Sequence, residues 1–235
     1  MLVERLHSSP ELAAQVHDSL LEAICAGRLA PGERITQEGL AETFGVSRQP
    51  VLQALMLLRR AGFIVDAGRK GIRVAPLDPH QTRDLYEVRA ALDGAACRAA
   101  ARRMDAALAA RGRAVLADAA AARASGDAAA LIAVDVAFHR FIYEASGNAL
   151  FAATAAPHWS HLRRVMGAVL RGPDGHERVW REHAAILEAM VAGDGGRAEA
   201  LARAHAEGAA ARLLDGLPRA AVAAPDDERQ AGDVR

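Results

Sequence analysis

The sequence contains little cysteine, few aromatic residues and a single lysine, Lys70. Its two cysteines, Cys25 and Cys97, fall in different predicted domains, which is typical of reduced thiols and argues against a disulfide-stabilised secreted domain. The chain has no apolar run of about 18 residues and no N-terminal pattern of a charged region followed by an apolar one. We therefore expect a cytoplasmic protein with neither a signal peptide nor a membrane span.

The chain also lacks net charge, with 29 basic and 29 acidic residues. Any affinity for nucleic acid must therefore come from local clustering of charge. Such clustering is present, because residues 47–76 carry a net charge of +5 and residues 1–46 a net charge of −4. A basic segment of this size suits contact with DNA phosphates.

The basic segment begins in a pattern of two short amphipathic helices. Residues 36–44 predict the first helix, Gly45 and Val46 a tight turn, and Ser47 an N-cap that opens the second helix through its hydroxyl. This spacing is typical of a helix-turn-helix, in which the start of the second helix faces the bases of the major groove. An ordinary helical hairpin is the alternative that these two helices alone leave open.

The next residues favour a winged helix. Residues 63–65 and 72–74 are β-prone, and the turn at 66–71 carries two cations. A small hairpin with a basic tip after a helix-turn-helix is the wing of such a domain. The candidate DNA-binding residues are Thr36, Ser47, Arg48, Gln49, Gln53, Arg69, Lys70 and Gly71.

The segment PGERITQEGLAETFGVSRQPVLQAL and the later GRKGIRVAPL resemble the winged helix of GntR-family transcription regulators. The resemblance covers about residues 11–77. It departs from the common family pattern where Leu52 and Gln53 replace an Arg-Glu pair, where Gln49 replaces Thr, and at Gly39. These departures leave the operator sequence open.

The remainder of the chain predicts an all-α antiparallel bundle, so the fold class is mainly α with an N-terminal winged helix-turn-helix. Short Gly-containing turns separate the segments, which suits antiparallel neighbours. Six helices are expected, at 80–104, 105–125, 127–146, 149–170, 176–192 and 195–216. The predicted limits are a DNA-binding domain at 1–76, a linker at 77–79, a helical domain at 80–217 and a disordered tail at 218–235.

Four polar residues lie on stripes that otherwise face the core of this bundle. Asp135 and His139 are four positions apart and share one helix face with apolar residues. His183 and His205 repeat the anomaly on two later helices. Because an unpaired buried carboxylate is costly, these residues predict a divalent metal site. A buried hydrogen-bonded cluster without metal is the alternative.

The same residues resemble the effector domain of the FCD branch of the GntR family, over about residues 80–217. The resemblance lies in Asp135-Val-Ala-Phe-His139, in Glu182-His183 and in the last-helix His205. It implies a metal-containing cavity that binds a small organic acid. From three imidazoles and one carboxylate we expect zinc as the metal, with nickel or manganese as alternatives. Candidate effector contacts are Arg89, Asn148, His161, Arg163 and Arg164.

Together these patterns predict a metabolite-responsive transcription regulator and not an enzyme. We expect a repressor that acts as a homodimer on an inverted-repeat operator and binds a small carboxylate. The alternative is a metal-dependent hydrolase on a helical bundle with a DNA-binding appendage. Against it, Glu182 is the one evident general base beside the ligands, and as the neighbour of His183 it should point away from their face.

Overall fold

The computed structural model describes residues 10–68, 71–169 and 176–217. Over these ranges the chain forms two compact units, the first ending at Leu77 and the second beginning at Asp78. The wing-tip residues Arg69 and Lys70 and the tail at 218–235 lie outside the described residues. Cys25 and Cys97 are both buried free thiols.

The first unit is a winged helix-turn-helix, as predicted. Its helices are α1 (Pro10–Cys25), α2 (Gln37–Phe44) and α3 (Arg48–Arg60), and its strands are β1 (Arg34–Ile35), β2 (Ile64–Asp66) and β3 (Ile72–Val74). The strands form an antiparallel sheet in the order β1-β3-β2. The sequence did not predict β1, because two residues are too few to show an alternating pattern.

Capping residues fix the turn between α2 and α3. The Thr36 hydroxyl accepts a hydrogen bond of 3.1 Å from the backbone N–H of Gly39 at the start of α2. Gly45 ends α2 with a φ of 64°, a left-handed conformation that glycine adopts without strain. The turn predicted at Gly45 is thereby confirmed.

Ser47 occupies the N-cap position of α3, but its hydroxyl makes no capping hydrogen bond. The prediction of a side-chain cap is therefore wrong. The third helical residue is Pro50, which has no N–H, so one of the two usual targets of an N-cap oxygen is missing. The hydroxyl of Ser47 remains exposed at the start of the helix.

The second unit is all-helical across its described residues. Its helices are α4 (Pro79–Ala101), α5 (Ala106–Ser125), α6 (Ala128–Ala145), α7 (Ala149–Ala155), α8 (Trp159–Val169), α9 (His176–Val191) and α10 (Gly195–Gly216). Helix α4 packs along α10 and also contacts α6 and α9. The central core contains Phe138, Ile142, Ile186, Leu187 and Met190, all at most 1% exposed. Five of the six predicted helices agree with these bounds to within three residues.

The fourth predicted helix, at 149–170, is not continuous. It consists of α7, a short 3₁₀ helix at Ala156–His158, and α8. Pro157 lies inside the 3₁₀ segment. Proline lacks the N–H needed for an i→i−4 bond and its ring clashes with the preceding turn, so an uninterrupted α-helix here is unfavourable. The predicted final residue, Leu170, lies outside the described ranges.

No helix among the described residues is both long enough and apolar enough to span a membrane.

Two mid-helix glycines provide a test of the core packing. A Cβ at Gly112 would lie 2.6 Å from Leu187 Cδ1 and 2.9 Å from the Phe141 ring, whereas at Gly208 it would meet only the flexible tip of Arg212. We expect Gly112→Ala to lower the free energy of unfolding by about 1 kcal/mol, because overpacking outweighs the gain in helix propensity. Gly208→Ala should raise it by up to about 1 kcal/mol. Thermal unfolding of both variants checks this, and equal changes would contradict the packing of α5 on the core.

Candidate metal centre and DNA-contacting surface

Three helices bring the four predicted metal ligands together. Asp135 and His139 lie on the same face of α6, His183 lies on α9, and His205 lies on α10. One nitrogen or oxygen atom from each of the four residues falls within 4.8 Å of the others. The histidines are at most 3% exposed and Asp135 is 9% exposed. Residues separated by up to 70 positions therefore converge at one buried point.

The spacing and chemistry of these atoms fit a divalent ion. His183 Nε2 lies 3.2 Å from His205 Nε2 and 3.5 Å from Asp135 Oδ1. Ligand atoms spaced in this way can share an ion with bonds of about 2.0–2.2 Å. The second carboxylate oxygen of Asp135 is buried and makes no hydrogen bond in the described part of the chain. A cation would remove that cost.

Burial favours the neutral form of two of the imidazoles, which is the form that binds a metal. Burial lowers the pKa of His183 well below its ordinary value, and the neighbouring imidazoles and Arg89 lower it further. Burial also lowers the pKa of His205, although a hydrogen bond to Glu182 opposes this. Both rings are therefore neutral near pH 7, and only a neutral imidazole offers a lone pair to a metal.

Arg89 on α4 lies at the edge of the four-residue cluster and is buried. Its guanidinium contacts His139 Nε2 and lies 3.7 Å from Asp135 Oδ2. It also lies 5.2 Å from the ring centroid of Trp159 on α8. Burial alone would lower the pKa of Arg89, but the hydroxyl of Tyr86 and two carboxylates raise it, so the side chain is a cation.

The structure adds two carboxylates that the sequence analysis did not include among the site residues. Asp93, also on α4 and buried, has its Oδ2 atom 3.0 Å from His139 Nδ1. Burial opposes its ionisation, but His139 and Arg89 outweigh burial and hold the pKa of Asp93 below its usual range. The signal was present, because Asp93 stands one helical turn after Arg89 on the same face.

Glu182 is the second added carboxylate. As expected, it is not one of the clustered ligands; its Oε2 atom instead lies 2.8 Å from Nδ1 of His205 on α10. Burial alone would raise the pKa of Glu182, but hydrogen bonds with His205 and Arg178 outweigh it and lower the pKa to about 2. A contact between two helices is not visible in the periodicity of either one.

The other effector candidates differ in their positions. The exposed Asn148 caps α7, and its side-chain oxygen accepts a hydrogen bond of 3.0 Å from the backbone N–H of Leu150. On α8, Arg164 is buried, while His161 and Arg163 are partly buried. Their roles as effector contacts stay predictions. Trp159, which the sequence analysis did not select, borders the cluster, with its ring centroid 5.7 Å from that of His139.

The start of α3 presents the predicted DNA contacts. Ser47, Arg48 and Gln49 are exposed there, and Gln53 is partly buried one turn later. The Arg48 guanidinium pairs with the carboxylate of Glu38 on α2.

The remaining predicted DNA contacts lie outside α3. Thr36 is exposed, but its hydroxyl already caps α2. Gly71 has a φ of 92°, which places it in the wing turn. Arg69 and Lys70, beside it in the sequence, are not among the described residues. All of these DNA contacts stay predictions.

Several curated regulators are similar to parts of the chain. A helix-turn-helix regulator of Bacillus subtilis, YdhC, is 34% identical over 79 residues, and the Nta operon transcriptional regulator of Aminobacter aminovorans is 41% identical over 73 residues. The chain spans about a third of the length of these two relatives, 35% in each case. A regulator from an unstable DNA locus of Streptomyces ambofaciens is 27% identical over 81% of this chain and 80% of its own length.

A solved structure supports the same fold. Escherichia coli McbR/YncC matches with a TM-score of 0.73 at 22% identity, covering 89% of this chain and 99% of that chain.

Two family models match the chain itself. The model of the bacterial regulatory proteins of the gntR family matches residues 12–74, and the FCD domain model matches residues 84–208, which is more than half of the chain. The gntR model describes regulatory proteins and not hydrolases, so the alternative of a metal-dependent hydrolase is rejected. The chain belongs to the GntR family of DNA-binding transcription regulators and carries an FCD effector-binding domain.

Proposed function

We propose that this regulator is a homodimeric repressor whose FCD domain binds one divalent ion, most simply zinc, together with a small carboxylate metabolite. The observation that carries the proposal is the convergence of three imidazole nitrogens and one carboxylate beside the buried Arg89. Asp135, His139, His183 and His205 would hold the ion. A bound ion supplies positive charge and an open coordination position to a ligand oxygen.

The buried charges indicate the class of effector. Asp93, Asp135 and Arg89 sum to a charge of −1 when the histidines are neutral. Tyr86 adds none, because burial raises its pKa to about 12. A divalent cation changes the sum to +1, and a monocarboxylate bound beside it returns the sum to zero. Arg89 can donate two parallel hydrogen bonds to such a carboxylate.

Helix α4, which carries Arg89, connects the proposed effector site directly to the DNA-binding unit through the backbone. Helix α4 begins at Pro79, directly after the DNA-binding unit that ends at Leu77. An anion that draws Arg89 away from Asp135 would therefore act on the helix joined to the winged unit. If the effector weakens operator binding, the operator must weaken effector binding by the same factor. Repression needs only that the bound protein excludes other proteins from the operator, and homodimerisation matches an inverted repeat.

The metal site leads to the first functional prediction. Protein purified without tag or chelator should contain a divalent metal, and zinc at about 100 times its dissociation constant should add about 2.7 kcal/mol to the free energy of unfolding. Elemental analysis and melting with and without zinc measure this. His183→Ala should lose both metal and stabilisation, whereas His80→Ala, at an exposed site on α4, should lose neither.

The stabilisation by zinc should also decrease in acid, once the pH falls through the lowered pKa values of His183 and His205, because protons then compete for the imidazoles. Absence of metal together with unchanged melting on adding zinc would leave a buried hydrogen-bonded cluster instead of a metal centre.

The start of α3 leads to the DNA prediction. Arg48→Ala should cost about 1–3 kcal/mol of specific binding and relax base preference at one position, as expected for a guanine contact. Arg28→Ala removes the same charge from an exposed loop of the same unit and should leave base preference unchanged. Binding-site selection with both variants measures this, and an unchanged consensus for Arg48→Ala would reject the contact.

A further inference from the structure

We infer that Asp93 and Glu182 are positioning residues of the proposed metal centre. Each carboxylate contacts the outer nitrogen, Nδ1, of one ligand histidine and so directs its Nε2 atom toward the ion. This inference rests on the proposed function, since it assigns the groups that orient the ligands.

The first of these contacts joins α4 to α6. Asp93 Oδ2 lies 3.0 Å from His139 Nδ1, close enough for an ion pair but poorly aligned for a hydrogen bond. The carboxylate itself is held in place, because the Tyr143 hydroxyl donates to Oδ1 and Arg89 Nε donates to Oδ2 at 3.3 Å. A small rotation of the His139 ring would align the N–H with a carboxylate that is already fixed.

The second contact joins α9 to α10. Glu182 Oε2 lies 2.8 Å from His205 Nδ1 and accepts a hydrogen bond of 3.3 Å from Arg212. Its other oxygen accepts one of 2.8 Å from Arg178. The two arginines fix the carboxylate of Glu182, just as Tyr143 and Arg89 fix the carboxylate of Asp93. Two ligand histidines on different helices therefore meet a restrained carboxylate on the side away from the cluster.

A carboxylate on Nδ1 has a defined effect on a ligand histidine. An ionised carboxylate can only accept hydrogen bonds, so Nδ1 must carry the proton and Nε2 keeps its lone pair. The contact also fixes the plane of the ring and raises the basicity of the ligand. His183 is positioned differently, because its ring stacks on Phe138 with centroids 4.2 Å apart and its Nδ1 has no hydrogen-bond partner among the described residues.

Asp93 also contacts the proposed effector-binding arginine, whereas Glu182 does not. The Oδ2 atom of Asp93 contacts both His139 and Arg89, the residue proposed to bind the effector. Loss of its charge should therefore disturb the metal centre and the effector arginine together. Loss of the Glu182 charge should affect only the metal centre.

The test compares zinc affinities of the full-length protein and its variants by competition with a chromophoric chelator. We expect Asp93→Asn and Glu182→Gln each to weaken zinc binding by about 10–100-fold. The matched control is Glu199→Gln, which removes a carboxylate paired at 2.9 Å with Arg98 across α4 and α10 but contacts no ligand histidine. Its zinc affinity should equal that of the wild type.

A second readout separates positioning from simple loss of stability. Cobalt(II) bound in place of zinc should show an altered visible absorption spectrum in both variants and an unchanged one in Glu199→Gln. Should Asp93→Asn fail to fold, the more exposed Glu182→Gln decides the matter alone. Wild-type affinity and spectrum in Glu182→Gln would overturn this inference and leave the metal centre standing, whereas no zinc binding by the wild type would overturn both.

A separate observation concerns base recognition by α3. Leu52 is 41% exposed and Met56 is 61% exposed, although the opposite face of the helix is fully buried. Arg48, Leu52 and Met56 are spaced by four residues, so they form one stripe on the exposed face. Two adjacent apolar side chains on the DNA-contacting helix are unfavourable in water and gain free energy only when a partner covers them.

The major groove contains one apolar group on its base edges, the C5-methyl of thymine. We infer that Leu52 contacts a thymine methyl, next to the base contacted by Arg48. The protein would then select thymine at one operator position through an apolar contact of Leu52 and without a hydrogen bond. Leu52 stands where an Arg is common in the family pattern, so the chain should prefer thymine where an arginine would prefer guanine.

Deoxyuridine provides a sharp test, because it pairs like thymine but lacks the methyl group. In the operator chosen by binding-site selection, replacing the contacted thymine by deoxyuridine should weaken wild-type binding about fourfold, the effect of one buried methyl group. Leu52→Ala should show no loss at that base, and Leu150→Ala, an exposed leucine of the other unit, should respond as the wild type does. If every thymine affects wild type and Leu52→Ala equally, the inference is wrong.

Discussion

The helical unit depends on how it compensates charge inside its core. Two carboxylates, a guanidinium and three imidazoles lie beside residues that are almost fully buried, and an isolated charge in such a place is very costly. Arg89 compensates part of this cost by contacting both Asp93 and Asp135. With the imidazoles neutral, one negative charge remains, and the second oxygen of Asp135 has no hydrogen bond among the described groups. The cation that we propose for this site would balance the charge and link the stability of the bundle to the presence of the ligand.

The sequence was sufficient to predict both units and the four clustered residues, because each depends on local periodicity. Asp135, His139, His183 and His205 each stand on an apolar stripe, and a helix with known faces places them inside. The winged helix followed from the spacing of its turn, its hairpin and its basic residues. Recognition of the family then agreed with an interpretation that the residue pattern already supported.

Two features that the sequence did not predict are the contact of Glu182 and strand β1. The first depends on a contact between helices and the second is a very short segment. Glu182 binds a histidine on another helix, and no pattern along α9 shows that contact. Strand β1 is only two residues long and exists because it pairs with β3. The break at Pro157 and the missing Ser47 cap are different, since a proline gave a readable signal in both places. In both places the proline removes a backbone N–H, from the interior of a helix at Pro157 and from the target of the N-cap at Pro50.

Each of the two units contains residues whose polarity does not match their surroundings. In the helical unit polar residues occupy positions that folding alone would give to apolar ones, and in α3 apolar residues occupy positions that water would leave to polar ones. Both arrangements reduce the stability of the free protein, so neither is explained by the fold. Each would become favourable with the ligand that we propose for it, a cation with an anion in the first case and a DNA base edge in the second. Because folding of the free chain bears both costs, a ligand that removes either cost would stabilise the folded protein by mass action.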